Sequence, residues 1–142
     1  MRFMILRLAD KDTEAGVMPS QELLAAMGRY MEELAKAGVL LAGEGLQPSS
    51  KGARVKFSRG RPRVVEGPFI PSKDLVAGFL MIQVKSKDEA IEWIGRWPVL
   101  DANGEAELEI RQIFEASDFG ADFTPELRER EERVRAELAT KT

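Results

Sequence analysis

The chain has 142 residues, 44% hydrophobic and 32% charged, with a net charge of −3; this suits one folded domain that buries roughly two-thirds of its unfolded surface. It contains neither cysteine nor histidine. That excludes a disulfide framework, Ser-His and Cys-His nucleophile systems and the usual histidine-bearing zinc or iron sites, leaving acid–base work to Asp, Glu, Lys or Tyr30.

The opening run Phe3–Leu8 is apolar at both parities, as in a strand covered on two faces. Arg7, Asp10, Lys11 and Asp12 interrupt it too early for a signal peptide, and no segment approaches the ~20 apolar residues of a membrane span. A cytoplasmic protein is expected. Residues 10–18 read as loop. Pro19 opens a helix, with Glu22 in its first turn, Leu23, Met27, Met31 and Leu34 at helical spacing, and Gly38 as the stop. Gly28 in that helix costs about 1 kcal/mol against alanine, and close packing on a sheet is its expected compensation. Val39–Ala42 is the second strand, ending near Gly43–Leu46. Arg54–Phe57 and Arg63–Val65, joined at Arg59-Gly60, predict a hairpin.

The Gly67-Pro68 step bends the chain before Ala77–Val84, again apolar at both parities. Ser86 and Glu89 form a capping-box pattern for a helix that turns Ala90, Ile91 and Ile94 inward, flanked by Trp93 and Trp97. Asp101–Gly104 reads as a turn and Glu107–Arg111 as a last, alternating strand. Thr124-Pro125 caps a final helix running toward Ala139, whose apolar stripe is only Leu127, Val134 and Leu138.

With the hairpin set aside, the order is βαββαβ, the ferredoxin-like unit of the α+β class. Both helices then cover one sheet face. The apolar residues of the other face need a second sheet, so a homodimer packed sheet to sheet is expected. The expected domains are residues 1–118 and a charged helical extension, residues 119–142.

Glu66-Gly67-Pro68-Phe69 followed by Ser72-Lys73-Asp74 resembles the signature of the YCII-related family, in its DGPFAETKE subgroup. Gly43-Glu44-Gly45, Asp88–Trp93, Trp97-Pro98 and Glu109–Arg111 fit the same pattern. The resemblance spans roughly residues 1–118 and implies a dimeric α+β barrel. A His-Asp pair has been proposed as the catalytic centre in YCII-type relatives, and this histidine-free chain cannot carry it. The subgroup's association with alternative sigma factors implies a regulatory setting.

Glu44, between two glycines at a strand end, and Glu66, beside the Gly-Pro bend, are the candidate carboxylate bases. Glu44, Lys73, Arg111, Phe69 and Trp97 are the candidate ligand-binding residues, with Lys73 or Arg111 meeting a small anionic or carbonyl ligand. Each has a plain structural alternative: an exposed turn residue for Glu44, a surface ion pair for Lys73 and Arg111, a core or seam filler for Phe69 and Trp97. Lys51, Arg54, Lys56, Arg59, Arg61 and Arg63 make the hairpin basic. The chain as a whole is acidic, so a solvated edge is expected there rather than nucleic-acid contact. No cofactor and no metal are expected. The leading function is small-molecule binding or an accessory role. The alternatives are a metal-independent enzyme doing proton transfer or lyase or isomerase chemistry, and a protein-binding regulatory module linked to transcription initiation.

Overall fold

The computed structural model describes residues 1–141, and the side chain of Lys73 and all of Thr142 lie outside the described residues. The chain divides into two compact units, Met1–Gln112 and Ile113–Thr142.

The first unit holds strands β1 (Arg2–Leu8), β2 (Leu40–Gly45), β3 (Ala53–Ser58), β4 (Arg61–Glu66), β5 (Val76–Gln83) and β6 (Leu108–Gln112), with helices α1 (Lys11–Glu14), α2 (Gln21–Lys36) and α3 (Lys87–Ile94). A four-stranded antiparallel sheet is ordered β2-β5-β1-β6, the ferredoxin-like arrangement expected from the sequence, and β3 and β4 form a separate two-stranded ribbon. Phe3 and Ile5 of β1 and Leu80 and Ile82 of β5 pack against Tyr30 and Leu34 of α2 and Ala90 and Ile94 of α3. Strand alternation turns Met4, Leu6, Phe79 and Met81 to the opposite face, where they are half-buried.

The caps follow local chemistry. Ser20 accepts from the Leu23 N–H to start α2, and Gly38, at a φ of 73°, ends it. Ser86 accepts from the Glu89 N–H to start α3, but the Glu89 carboxylate accepts from the Lys85 N–H (2.7 Å) instead of closing on Ser86. Residues 10–18 are not all loop. Asp10 and Thr13 form a reciprocal capping box that nucleates the single turn of α1. Gly28 also departs from expectation: it is exposed, and a Cβ there would meet nothing within 4 Å. The close helix–sheet approach occurs at Gly43, where a Cβ would stand 2.6 Å from Leu80 Cδ2 and 2.9 Å from Met31 Cε.

The ribbon turns at Arg59 and Gly60, both at positive φ (51° and 76°), the two-residue geometry that suits strand twist. Its register puts Arg54, Lys56, Arg61 and Arg63 on one face and Val55, Phe57, Pro62 and Val64 on the other.

In the second unit, Phe114, Phe119 and Phe123 stack in sequence (5.0 and 5.5 Å between ring centres). Helix α4 (Pro125–Ala139) follows, capped by Thr124 and burying none of its residues.

Candidate functional site

Charge inside an apolar strand must be paired, and β1 shows how. Arg7 shares the inward face with Phe3 and Ile5 and is only 8% exposed. Its Nε and Nη2 donate to the two carboxylate oxygens of Asp101 at 2.9 and 2.7 Å, a bidentate fork. Its Nη1 donates to the Leu8 carbonyl (2.6 Å) and to Asp10 (3.2 Å). Trp97 Nε1 donates to the same Asp101 carboxylate at 2.9 Å. The Trp97 ring meets Tyr30 edge-on at 5.7 Å, and the buried Tyr30 hydroxyl donates to the Trp93 carbonyl (2.7 Å). Burial pushes that phenol up to about 12, so Tyr30 is a fixed donor and not an acid for catalysis.

Asp101 reaches Arg7 because the chain after it turns left-handed, with Ala102, Asn103 and Gly104 at φ of 52°, 55° and 85°. Burial alone would raise the Asp101 pKa. The Arg7 and Trp97 hydrogen bonds, with Arg7's charge, outweigh it and hold the carboxyl below its usual range. Asp10 is likewise held low: burial acts upward, and the Thr13 N–H and Arg7 act downward more strongly. Carboxylates held low are weak bases, so neither is suited to proton abstraction at neutral pH.

This network forms one end of a cleft of about 1020 Å³. Its walls come from α1 and the segment after it, α2, the end of β2, the start of β5 and the segment 97–103. Met27, Met31, Leu80, Trp97 and Leu100 supply apolar surface, Arg7, Asp10 and Asp101 supply polar groups, and Glu44 and Phe79 border the cleft at the sheet with side chains on the other face. A mostly apolar cleft with a few convergent polar groups is the usual form of a small-molecule site. Among the described residues, no three Asp or Glu side chains cluster as metal donors would.

The signature loop is tied to the cleft wall through Ser49. The Ser49 N–H donates to the Glu14 carboxylate at 2.9 Å, and its hydroxyl donates to the other oxygen of the same group. Ser49 Oγ in turn accepts from the Phe69 N–H (2.9 Å). Gly67 lies so close that a Cβ would stand 1.7 Å from the Ser49 carbonyl oxygen, so only glycine fits. The Arg54 guanidinium lies 4.0 Å over the Phe69 ring.

Of the residues singled out from sequence, Trp97 lines the cleft and Glu44 borders it. Phe69 packs under Arg54 and lies outside the lining, and Glu66 is exposed on β4 opposite Ala53. Arg111 is exposed on β6 and paired with Glu109 at 3.2 Å. Glu44 and Arg111, both candidate ligand contacts, are not brought together: β2 and β6 are opposite edges of the sheet, about 14 Å apart at ordinary strand spacing. The Lys73 side chain lies outside the described residues. Arg7, Asp10 and Asp101 were not singled out. The available signal was the parity of Arg7 with Phe3 and Ile5, which makes a buried guanidinium and obliges a carboxylate partner.

Fold and cleft together define a ferredoxin-like α+β domain with a ligand-sized opening between its helical layer and one sheet edge. Residues 1–116 match the YCII-related domain model, and the chain belongs to that family. It is 32% identical over 83 residues to an uncharacterized protein of Rhizobium meliloti (strain 1021), a match covering 58% of this chain and 62% of that protein's length. It is also similar to 5-chloro-2-hydroxyhydroquinone dehydrochlorinase from Burkholderia phenoliruptrix AC1100, solved in complex with 2,5-dihydroxybenzoquinone. That similarity has 19% identity and a TM-score of 0.40, covering 81% of this chain and 96% of the other. Among the described residues, no helix is long and apolar enough to cross a membrane.

Proposed function

We propose that this YCII-related protein, of the DGPFAETKE subgroup, binds a small molecule in the cleft beside Arg7 and Asp101. The observation that carries the reading is the pairing of an apolar wall with a rigid polar end. Met27, Met31, Leu80 and Trp97 offer dispersion contact, and the Arg7–Asp101–Trp97 network fixes the polar end before any ligand arrives. Asp10 and Asp101, held low by their partners, are suited to fixing Arg7 and not to abstracting a proton. Absence of cysteine fits the cytoplasmic location expected from the sequence.

The half-buried Met4, Leu6, Phe79 and Met81 support a homodimer closed sheet to sheet. Light scattering at low micromolar protein should then give about twice the chain mass of 15.8 kDa, and a clean monomer would overturn that assembly.

Binding is tested by titrating a library of small aromatic and aliphatic fragments into ¹⁵N-labelled protein. The chain has two tryptophans, and only Trp97 lines the cleft. Fragments that bind as proposed shift the Trp97 indole N–H and the Gly43 and Thr13 amides and leave the Trp93 indole in place. A library that shifts none of the three, or shifts Trp93 equally, removes the cleft as the site.

A further inference from the structure

Resting on the homodimer proposed above, we infer that the apolar face of the ribbon β3–β4 packs against a second copy of this chain and completes that assembly.

The ribbon is folded the wrong way round for a chain that stays alone. A two-stranded ribbon is at best marginally stable in water and needs cover on one face. The pairing of β3 with β4 puts Val55, Phe57, Pro62 and Val64 on one face and Arg54, Lys56, Arg61 and Arg63 on the other. The charged face is the one that meets its own chain at the base. There Arg54 lies 4.0 Å over the Phe69 ring, and Val65, directly opposite Arg54 in the register, is half-buried. The apolar face is left uncovered, with Phe57 69%, Val64 60% and Val55 54% exposed. Neither strand pairs with the four-stranded sheet. A contiguous apolar stripe turned away from its own chain marks a contact surface.

Area selects the occupant. A stable interface takes about 800 Å² from each partner, more than half of it apolar. On the bare sheet face, Met4, Leu6, Phe79 and Met81 have no more than about a third of each side chain exposed and offer less than roughly 300 Å². The sheet faces alone fall short, and the ribbon's apolar face offers about as much again. The ribbon is rooted between the end of β2 and the start of β5, strands that pair with each other, so it extends from one end of the sheet that the dimer uses. Charge agrees. Residues 51–65 hold six cations and no acid, yet the whole chain is net −3. The rest of a second copy is therefore acidic and attracts the ribbon. Nucleic acid would engage the basic face and leave the apolar one bare.

Sedimentation equilibrium over a wide concentration range at physiological salt tests this. Phe57→Ser should weaken dimerisation at least about hundredfold, because an isologous interface loses the ring twice. Lys56→Ser, one residue away on the opposite face, should change it by less than about threefold. Far-UV circular dichroism shows that each variant is folded. If the wild type is a monomer, the homodimer itself fails and the role of the ribbon with it. If the wild type is a dimer and Phe57→Ser dimerises equally well, the ribbon contact is overturned while the sheet-to-sheet assembly stands. If Lys56→Ser weakens dimerisation as much as Phe57→Ser, the assignment to the apolar face is overturned. Binding of phosphatidylglycerol vesicles or of duplex DNA that is lost in Phe57→Ser, with dimerisation unmoved, would give the face to that partner and overturn the second copy.

Discussion

Replacing Asp101 by alanine removes both oxygens of the Arg7 fork and the acceptor of the Trp97 indole. The Asp101 side chain is 13% exposed and that of Arg7 10%, so water does not readily replace what is lost. Removing one member of a buried ion pair costs about 3–5 kcal/mol. Here Asp10 and the Leu8 carbonyl still hold Nη1, which trims the figure. The stranded indole N–H adds back about 1 kcal/mol. The expected loss is about 3 kcal/mol, or roughly 10 °C in melting temperature for a chain of this length. Urea unfolding followed by tryptophan fluorescence measures it. Arg7→Met combined with Asp101→Leu should recover much of the loss, because the cost lies in an uncompensated charge and not in missing attraction. A loss below about 1 kcal/mol for Asp101→Ala would mean that Arg7 is rehydrated at little cost, and would refute the claim that the pair is buried and essential.

Other perturbations probe different parts. Gly67→Ala forces a Cβ onto the Ser49 backbone and should cost about 2–3 kcal/mol as overpacking; an unchanged urea midpoint would show that the loop moves aside freely. Asp10 and Asp101 have folded pKa values below their unfolded ones, so their stabilisation is complete above about pH 4 and is lost as pH falls through the folded values. Acid titration of stability should therefore steepen below about pH 4, and Asp101→Asn should flatten it; equal slopes would argue against the assignment. Removing residues 124–142 should cost at most about 2 kcal/mol, since Leu127, Val134 and Leu138 are all exposed; insoluble or unfolded product would contradict this.

Local pattern carried the elements well. Apolar runs at both parities marked β1 and β5, helical spacing marked α2, and Arg59-Gly60 marked the ribbon. What did not show was long-range. Strand order decides that Glu44 and Arg111 occupy opposite edges, and no local pattern encodes strand order. Helix α1 was missed because a single turn is too short to show periodicity, although Asp10 and Thr13 carry a cap. Gly28 and Gly43 look alike in sequence; only the packing of Met31 and Leu80 tells which glycine is needed. Arg7 read as the end of an apolar run when it was the inward-facing third member of that run.

That position of Arg7 bears on how the chain chooses among alternative folds. Strand β1 is apolar on both parities, with Phe3 and Ile5 on one side and Met4, Leu6 and Leu8 on the other. Greasiness alone would let the strand turn over, or slide by one residue, with little penalty. The guanidinium does not permit it: only one orientation brings Arg7 to Asp101 and Asp10. An expensive charged pair thus acts as a key that admits a single threading of an otherwise ambiguous strand. The doubly apolar variant is then expected to be stable yet ambiguous, with duplicated amide resonances from Met4 to Leu8. A single set of resonances would show that neighbours other than Arg7 make the choice.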